Sequence, residues 1–230
     1  MLADIVPPQV AADEAFGDVL DAVLFPEEEA VVARAVDKRR REFTTARVCA
    51  RAGLARLGVP AAPILPGPRG APQWPPGIVG SMTHCAGYRA SAVARAEDMI
   101  TLGLDAEPDD RLPDRVLEAV ATADEQEALD ALTSATAGPS WDRLLFSAKE
   151  SVYKAWFPLT GRWLGFKEAA VTINPSAGTF HARLLVEGPV LAGRRLTGFT
   201  GRWLARDGLI LTAIALPCRS RPGRRNGAPS

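Results

Sequence analysis

Residues 99–108 read MITLGLDAEP, an apolar strand pattern that runs into two carboxylates and stops at Pro108. In a β-strand, residues i and i+2 face the same way, so Asp105 and Glu107 are expected side by side, with Ala106 turned to the other face. Two anions held this close repel each other unless a cation lies between them. The pattern therefore indicates either a cation site at the end of a strand or a strand that ends in two solvated acids.

The bulk composition is that of a globular protein with a sizeable core. The chain has 230 residues, of which 47% are hydrophobic and 23% charged. Its 27 Lys and Arg residues equal its 27 Asp and Glu residues, which argues against a surface built as a whole for nucleic acid or an anionic membrane. The sequence shows no signal-peptide pattern, and no apolar stretch approaches the roughly 20 residues of a membrane span. We therefore expect a cytoplasmic protein that binds neither nucleic acid nor membrane.

The periodicity of apolar residues predicts an α+β protein with two similar lobes. Helices are expected at 10–24, 25–58, 113–120, 122–132 and 140–157, and a break near Asp37 would divide the second of them. Strands are expected at 78–83, 88–96, 99–106, 169–174, 179–186, 196–205 and 209–216. Seven prolines between residues 60 and 77 predict an extended loop. The predicted lobes cover 1–102 and 103–217, and 218–230 is predicted to be a disordered tail.

The helix that contains FSAKESVYKAW, residues 146–156, offers partners for the two strand acids. At helical spacing one stripe forms its core face: Leu145, Ala148, Val152 and Trp156. Glu150 and Lys154 lie with Ser147 on roughly the opposite side, where an ordinary exposed Glu–Lys pair would contribute about 0.2–0.5 kcal/mol. Beside Asp105 and Glu107, however, Glu150 would be a third hard oxygen ligand and Lys154 a cation for phosphate or proton transfer. Three carboxylates without His or Cys suit Mg²⁺, with Mn²⁺ as an alternative.

A second set of candidate residues lies in a basic run over 34–56 and in the stretch GSMTHC at 80–85. The basic run is either a solvated face or a phosphate-binding face, because arginine offers forked donors to phosphate oxygens. Arg39 and Arg47 belong to it, and Ser81 and His84 stand next to a predicted strand. A lone histidine is more often structural than catalytic, so these residues alone leave both interpretations open.

Three motifs together resemble one family of enzymes. HC at 84–85, GLDAEP at 103–108 and FSAKESVYKAW at 146–156, in this order, resemble the 4′-phosphopantetheinyl transferases, most closely the Sfp-like branch of actinobacterial type. The resemblance extends from about residue 27 to residue 216. It implies two similar α+β lobes with the active site in the cleft between them.

The resemblance also implies a reaction and its site. The family transfers the phosphopantetheine arm of coenzyme A to a serine of an apo acyl carrier, peptidyl carrier or polyketide synthase carrier domain, and releases adenosine 3′,5′-bisphosphate. By resemblance, Mg²⁺ is held by Asp105, Glu107 and Glu150. The phosphates of coenzyme A are held by Arg39, Arg47, Ser81, His84 and Lys154, with His84 on the 3′-phosphate. A loop lysine common in relatives is replaced by Pro66, and Arg69 is the expected substitute.

The resemblance implies that Glu150 and Lys154 act in catalysis. Lys154 would contact the pyrophosphate and protonate the leaving group, and the serine proton would pass to Glu150 directly or to a metal-bound water. Two other functions fit parts of the pattern: a Mg²⁺-dependent nuclease and a non-enzymatic nucleic-acid-binding module. The first usually has Glu-x-Lys on a strand, and the second leaves the acidic pair unexplained. A monomeric transferase is the expectation.

Overall fold

The computed structural model describes residues 1–113 and 115–218, and this part contains two larger antiparallel sheets, each packed against a long helix, and one two-stranded sheet. The first sheet has three strands, in the spatial order Ala11–Phe16, Tyr88–Arg95 and Ile78–Cys85. The second has five, in the spatial order Met99–Pro108, Leu209–Pro217, Gly198–Arg206, Thr179–Leu184 and Ala169–Asn174. The predicted α+β class with two sheet-containing lobes is confirmed. Residues 219–230 of the predicted tail lie outside the described part. In that part, no helix has both the length and the apolar character needed to cross a membrane.

The first lobe is built from two helices and three strands. The helices are α1 (Pro26–Val32) and α2 (Asp37–Arg56), and the strands are β1 (Ala11–Phe16), β2 (Ile78–Cys85) and β3 (Tyr88–Arg95). The predicted break near Asp37 is therefore confirmed. The proline-rich loop between α2 and β2 contains one short 3-10 turn, Pro68–Gly70.

The predicted helix at 10–24 is wrong, because residues 11–16 form strand β1. Each residue of β1 pairs with β3, from Ala11 opposite Val93 to Phe16 opposite Tyr88. The strand stops at Gly17, whose φ of 104° is a backbone conformation that favours glycine. Pairing with an available sheet edge has overridden the local helical pattern.

The second lobe carries three helices and the remaining strands. The helices are α3 (Val116–Val120), α4 (Ala123–Ala135) and α5 (Trp141–Thr160). The strands are β4 (Met99–Pro108), β5 (Ala169–Asn174), β6 (Thr179–Leu184), β7 (Val190–Leu191), β8 (Arg194–Arg195), β9 (Gly198–Arg206) and β10 (Leu209–Pro217). The β7–β8 hairpin was not predicted. The predicted boundary at 102/103 falls inside β4, so we propose to begin the second lobe at Met99.

Helix α5 lies across the second sheet with its predicted core stripe fully buried. Leu145, Ala148, Val152 and Trp156 are each at most 1% exposed. The opposite side is not a solvent face, since the hydroxyl of Ser147 lies 2.9 Å from that of Thr212 on β10. The helix also continues past its predicted end at residue 157, through Pro158, and stops at Gly161 with a φ of 63°.

Glycine at position 103 lets α5 approach the strand that carries the acids. A Cβ at Gly103 would overlap the carbonyl oxygen of Ser151 and would lie 2.8 Å from the backbone nitrogen of Ala155. Thr101, two residues earlier on the same face of β4, donates its hydroxyl to the carbonyl of Ala155 at 2.9 Å. The helix backbone therefore rests directly on β4, next to Asp105.

Side-chain hydroxyls join the two sheets where β2 runs beside β4. The N–H of Leu104 donates to the hydroxyl of Ser81 at 3.0 Å, and the N–H of Ala106 donates to that of Thr83 at 3.1 Å. These hydroxyls take the place of the strand carbonyls that would accept such bonds in a continuous sheet. The acidic end of β4 is thereby fixed against the first lobe.

Candidate active site

Asp105 and Lys154 form the centre of the site, at the junction of the two sheets. The ammonium of Lys154 lies 2.7 Å from Oδ1 of Asp105, whose side chain is 6% exposed. The hydroxyl of Thr83 donates to the same oxygen at 3.3 Å. The predicted neighbourhood of strand acid and helix lysine is therefore present, and it includes a residue of the first lobe.

The other two acids lie close enough to this pair to feel the charges of both Asp105 and Lys154. Glu107 accepts a hydrogen bond from Arg143 at 3.0 Å, while Glu150 projects from α5 one turn before Lys154. Burial raises the pKa of Glu107 above its ordinary value, and the charge of Asp105 raises it further. Burial and then Asp105 raise the pKa of Glu150 in the same way. The three carboxylates thus share an excess of negative charge.

A divalent cation fits the chemistry of this donor set. Oδ2 of Asp105 is buried and has no hydrogen-bond partner in the described part of the chain. A buried acceptor without a partner is costly, and a metal ion would satisfy it. Among residues 1–113 and 115–218, however, no three His, Cys, Asp or Glu side chains already converge on one metal position. Lys154 and Arg143 lie against two of the three acids instead.

Two of the predicted phosphate ligands contact each other at the end of β2. Nη1 of Arg39 lies 2.9 Å from Nε2 of His84, and both side chains border a cavity of about 420 Å³. Arg47 and Lys154 also line this cavity. Four cationic or potentially cationic side chains from β2, α2 and α5 therefore surround one space.

Arg47 is held more tightly than a solvated basic residue would be. Its Nε donates to the carbonyl of Ile64 at 2.9 Å, and its guanidinium carbon lies 3.1 Å from the ring centroid of Phe43. The fully buried Glu28 lies 3.7 Å from Nε and accepts the N–H of Ile64 at 2.8 Å. Burial lowers the pKa of Arg47 to about 10, against the opposing effect of Glu28, so the group remains cationic at neutral pH.

The basic run on α2 thus divides into two sets. Arg40 pairs with Glu29, and Arg51 donates to Glu28 at 2.9 Å. Arg39 and Arg47 face the cavity, and Arg47 also lies near Glu28. Contacts with other segments therefore determine which arginines of the run point into the cavity.

Ser81 and Arg69 take positions beside the site rather than at its centre. Ser81 is 4% exposed, and its hydroxyl accepts the Leu104 N–H at the sheet junction. The guanidinium carbon of Arg69 lies 5.2 Å from the ring centroid of Trp163. Both residues line cavities that reach Glu150. Their contacts with coenzyme A stay a prediction.

Two further cavities meet at Glu150. One of about 750 Å³ runs along the proline-rich loop and β2 to Lys154, and it is walled mainly by apolar side chains such as Trp74 and Phe157. The other, about 430 Å³, is bordered by Tyr153, Trp163 and other residues of the segment after α5. A long flexible substrate and a second reactant could therefore approach the same carboxylate from different sides.

Lys149 and Arg143 are polar residues near the site to which the sequence analysis gave no role. The ammonium of Lys149 is buried and donates to Glu125 at 2.8 Å and to the carbonyls of Phe166 and Ala169 at 2.7 and 2.9 Å. All three of its protons are used, so Lys149 anchors α5 to the following segment. Arg143 pairs with Glu107. Its position on the predicted helix, one turn before Ser147, is the sequence feature that could have indicated its place near the acids.

Comparison with known proteins agrees with this geometry. A model of the 4′-phosphopantetheinyl transferase N-terminal domain matches residues 27–94, and a model of the 4′-phosphopantetheinyl transferase superfamily matches residues 101–198. The chain is 58% identical over 219 residues to the 4′-phosphopantetheinyl transferase Svp of Streptomyces mobaraensis, covering 94% of this chain and 89% of that protein.

Two other actinobacterial relatives match over nearly their whole length. The 4′-phosphopantetheinyl transferase PptT of Mycobacterium tuberculosis is 47% identical over 224 residues, with 94% of this chain and 98% of that protein covered. The 4′-phosphopantetheinyl transferase Npt of Nocardia iowensis is 49% identical over 223 residues, with 94% and 99% covered. The chain therefore belongs to the 4′-phosphopantetheinyl transferases, enzymes that transfer the phosphopantetheine group of coenzyme A to a serine of an apo carrier protein.

Proposed function

We propose that this chain carries out the transfer at the junction of its two sheets, with Mg²⁺ bound by Asp105, Glu107 and Glu150. The observation that carries the proposal is the contact of 2.7 Å between Lys154 and Asp105. The other oxygen of that carboxylate, Oδ2, is buried and has no hydrogen-bond partner among residues 1–113 and 115–218. A cation from the helix thus already neutralises one oxygen of Asp105, and the other oxygen is available to a metal. Mn²⁺ is the expected replacement for Mg²⁺.

The phosphates of coenzyme A would occupy the basic cavity between the lobes. Arg39, Arg47 and His84 border it, and Lys154 stands where it meets the cavity along β2. Arginine and lysine side chains neutralise phosphate oxygens by charge-assisted hydrogen bonds. The 3′-phosphate is assigned to His84 and Arg39, the pyrophosphate to Lys154, and Arg69 and Ser81 complete the walls.

The chemistry requires a proton acceptor, a proton donor and neutralisation of charge. When bound, the metal would supply electrostatic stabilisation of the pyrophosphate oxygens. Glu150 borders the two apolar-walled cavities and is placed to take the proton from the serine hydroxyl. Lys154 would hold and protonate the leaving phosphate group, which departs as part of adenosine 3′,5′-bisphosphate. Thr83 keeps Asp105 in place through its hydroxyl.

The carrier protein would dock beside the segment after α5. Arg162, Trp163 and Lys167 are exposed there, and Trp163 borders the cavity that reaches Glu150. A small apolar patch with basic neighbours suits the acidic helix that such carriers present next to their serine. Acyl carrier, peptidyl carrier and polyketide synthase carrier domains are the proposed partners, and the enzyme is proposed to act as a monomer in the cytoplasm.

Mass spectrometry of a carrier protein tests the proposal directly. The purified chain is incubated with coenzyme A, Mg²⁺ and an apo carrier, and the carrier should gain the mass of one phosphopantetheine group. A carrier whose serine is replaced by alanine should gain nothing. Chelation of the metal should stop the reaction, and Mn²⁺ added in excess of the chelator should restore it. Full transfer in the chelator would contradict the metal assignment.

A further inference from the structure

The contact between Arg39 and His84 defines the protonation state of the imidazole. Nη1 of Arg39 lies 2.9 Å from Nε2 of His84. A guanidinium group has donors and no acceptor, so Nε2 must accept this hydrogen bond with its lone pair. His84 is then a neutral imidazole, and its proton is on Nδ1.

Nδ1 of His84 faces a carboxylate that is fixed in the protein. Oε2 of Glu42 lies 3.6 Å from Nδ1, and the Glu42 side chain is 10% exposed. Oε1 of the same carboxylate lies 3.9 Å from Arg89, which in turn pairs with Asp18 at 2.8 Å. The Glu42 carboxylate therefore lies next to Nδ1, while Arg39 lies next to Nε2.

Charged groups from three elements face His84. Arg39 and Glu42 belong to α2, Arg89 to β3 and Lys154 to α5. Burial is the main cause that lowers the pKa of His84, and the three cations lower it further against the opposing charge of Glu42. The neighbouring thiol of Cys85, whose pKa is raised to about 12, adds no charge at neutral pH. The free protein thus favours the neutral form of His84 more strongly than solvent would.

We propose that Glu42 is a positioning residue for His84, and that binding of the 3′-phosphate of coenzyme A is coupled to proton uptake by this imidazole. The proposal rests on the proposed function, which assigns the 3′-phosphate to His84. A phosphate at this position accepts hydrogen bonds from Arg39 and faces Nε2, whose lone pair would repel it. Nε2 therefore takes up a proton from solvent and keeps it, and the resulting Nε2–H donates a hydrogen bond to the phosphate while Nδ1–H stays directed at Glu42.

The pH dependence follows from the two pKa values of His84. The pKa lies below 6.5 in the free protein and rises when the phosphate dianion binds. Between these two values the complex holds one more proton than the separate reactants, so affinity for coenzyme A falls as the pH rises. Below the lower value His84 is already protonated, and above the higher value it stays neutral, so uptake vanishes in both ranges. The maximal slope is about tenfold in affinity per pH unit.

Calorimetry measures this uptake without any turnover. Coenzyme A is titrated into the protein without carrier at about pH 7.5, where a phosphate with a pKa near 6 is already a dianion. The same titration in buffers of different ionisation enthalpy gives the number of protons taken up, expected to be about one at full coupling. 3′-Dephospho-coenzyme A is the matched ligand, and it should bind to the same protein with no proton uptake.

Two variants separate the roles of Glu42 and His84. His84→Asn should bind coenzyme A more weakly and without proton uptake. Glu42→Gln should retain the fold, as judged by circular dichroism, and should lower both the uptake and the preference for coenzyme A over the dephospho ligand. Glu97→Gln, an exposed change in the turn that joins β3 to β4, should match the wild type in both measurements.

The outcomes distinguish this inference from the function on which it rests. Binding of coenzyme A with no proton uptake, or with equal uptake for both ligands, overturns the coupling and leaves the transferase assignment intact. Uptake and ligand preference that are unchanged in a folded Glu42→Gln protein overturn the role of Glu42. Failure of wild type to bind either ligand counts against the proposed coenzyme A site itself.

Discussion

Gly103 lies against the backbone of Ser151, so closely that a Cβ at position 103 would overlap the Ser151 carbonyl oxygen. This contact sets the distance between β4 and α5, the two elements that carry the three acids and Lys154. It gives the glycine of GLDAEP a steric role, which is separate from the chemical role of the acids that follow it.

Gly103→Ala is expected to lower the free energy of unfolding by about 1–3 kcal/mol, because overpacking forces backbone movement that side-chain rotation cannot relieve. Urea unfolding measures the change. Gly165→Ala is the control, since a Cβ there would meet only Glu168, with its nearest atom at 3.4 Å. Equal stability of the two variants would contradict the contact. A folded fraction of Gly103→Ala should also turn over more slowly, because Lys154 is displaced from Asp105.

Glu107→Gln and Glu150→Gln should each reduce kcat/KM by about 100-fold or more, through loss of charge stabilisation at the reacting phosphate. Binding of Mn²⁺, followed by electron paramagnetic resonance, should weaken in both variants. Glu127→Gln, an exposed change on α4, should alter neither quantity. Wild-type metal affinity in both site variants would remove these residues from the ligand set.

Lys149→Met should destabilise the protein by about 3–5 kcal/mol, since it leaves Glu125 buried without its cation. Thermal or urea unfolding of Lys149→Met, Glu125→Gln and the double variant should show a less than additive loss. Lys167→Met, which removes an exposed lysine from the adjoining segment, should have little effect. Additive losses would mean that the two side chains stabilise the fold independently.

Arg162→Glu should raise the KM for the carrier protein, while affinity for coenzyme A, measured by calorimetry without carrier, stays near wild type. The reason is charge repulsion with the acidic helix of the carrier. Leu159→Glu is a poorer test of docking because Leu159 packs against the core of the second lobe. Arg183→Glu makes the same charge change on β6 and should not alter the KM. If Arg162→Glu also leaves it unchanged, docking occurs elsewhere, most simply on the first lobe.

The sequence by itself determined much of this protein. Alternation placed Asp105 and Glu107 on one face of a strand, and the helical period placed Leu145, Ala148, Val152 and Trp156 in the core. These are local rules, in which each residue's direction follows from its own element. The motif order was enough to indicate the family, which the comparisons then confirmed.

Only the tertiary structure decided which partners those residues meet. The helical pattern of residues 10–24 gave way to pairing with β3, because a free sheet edge offers backbone hydrogen bonds that a short exposed helix lacks. The basic run could not show that Glu28 and Glu29 pair with Arg51 and Arg40, because those ion pairs join separate helices. The hydroxyl of Thr83 reaches Asp105 from the other sheet for the same reason: contacts between distant segments depend on how whole elements pack, and no local period encodes them.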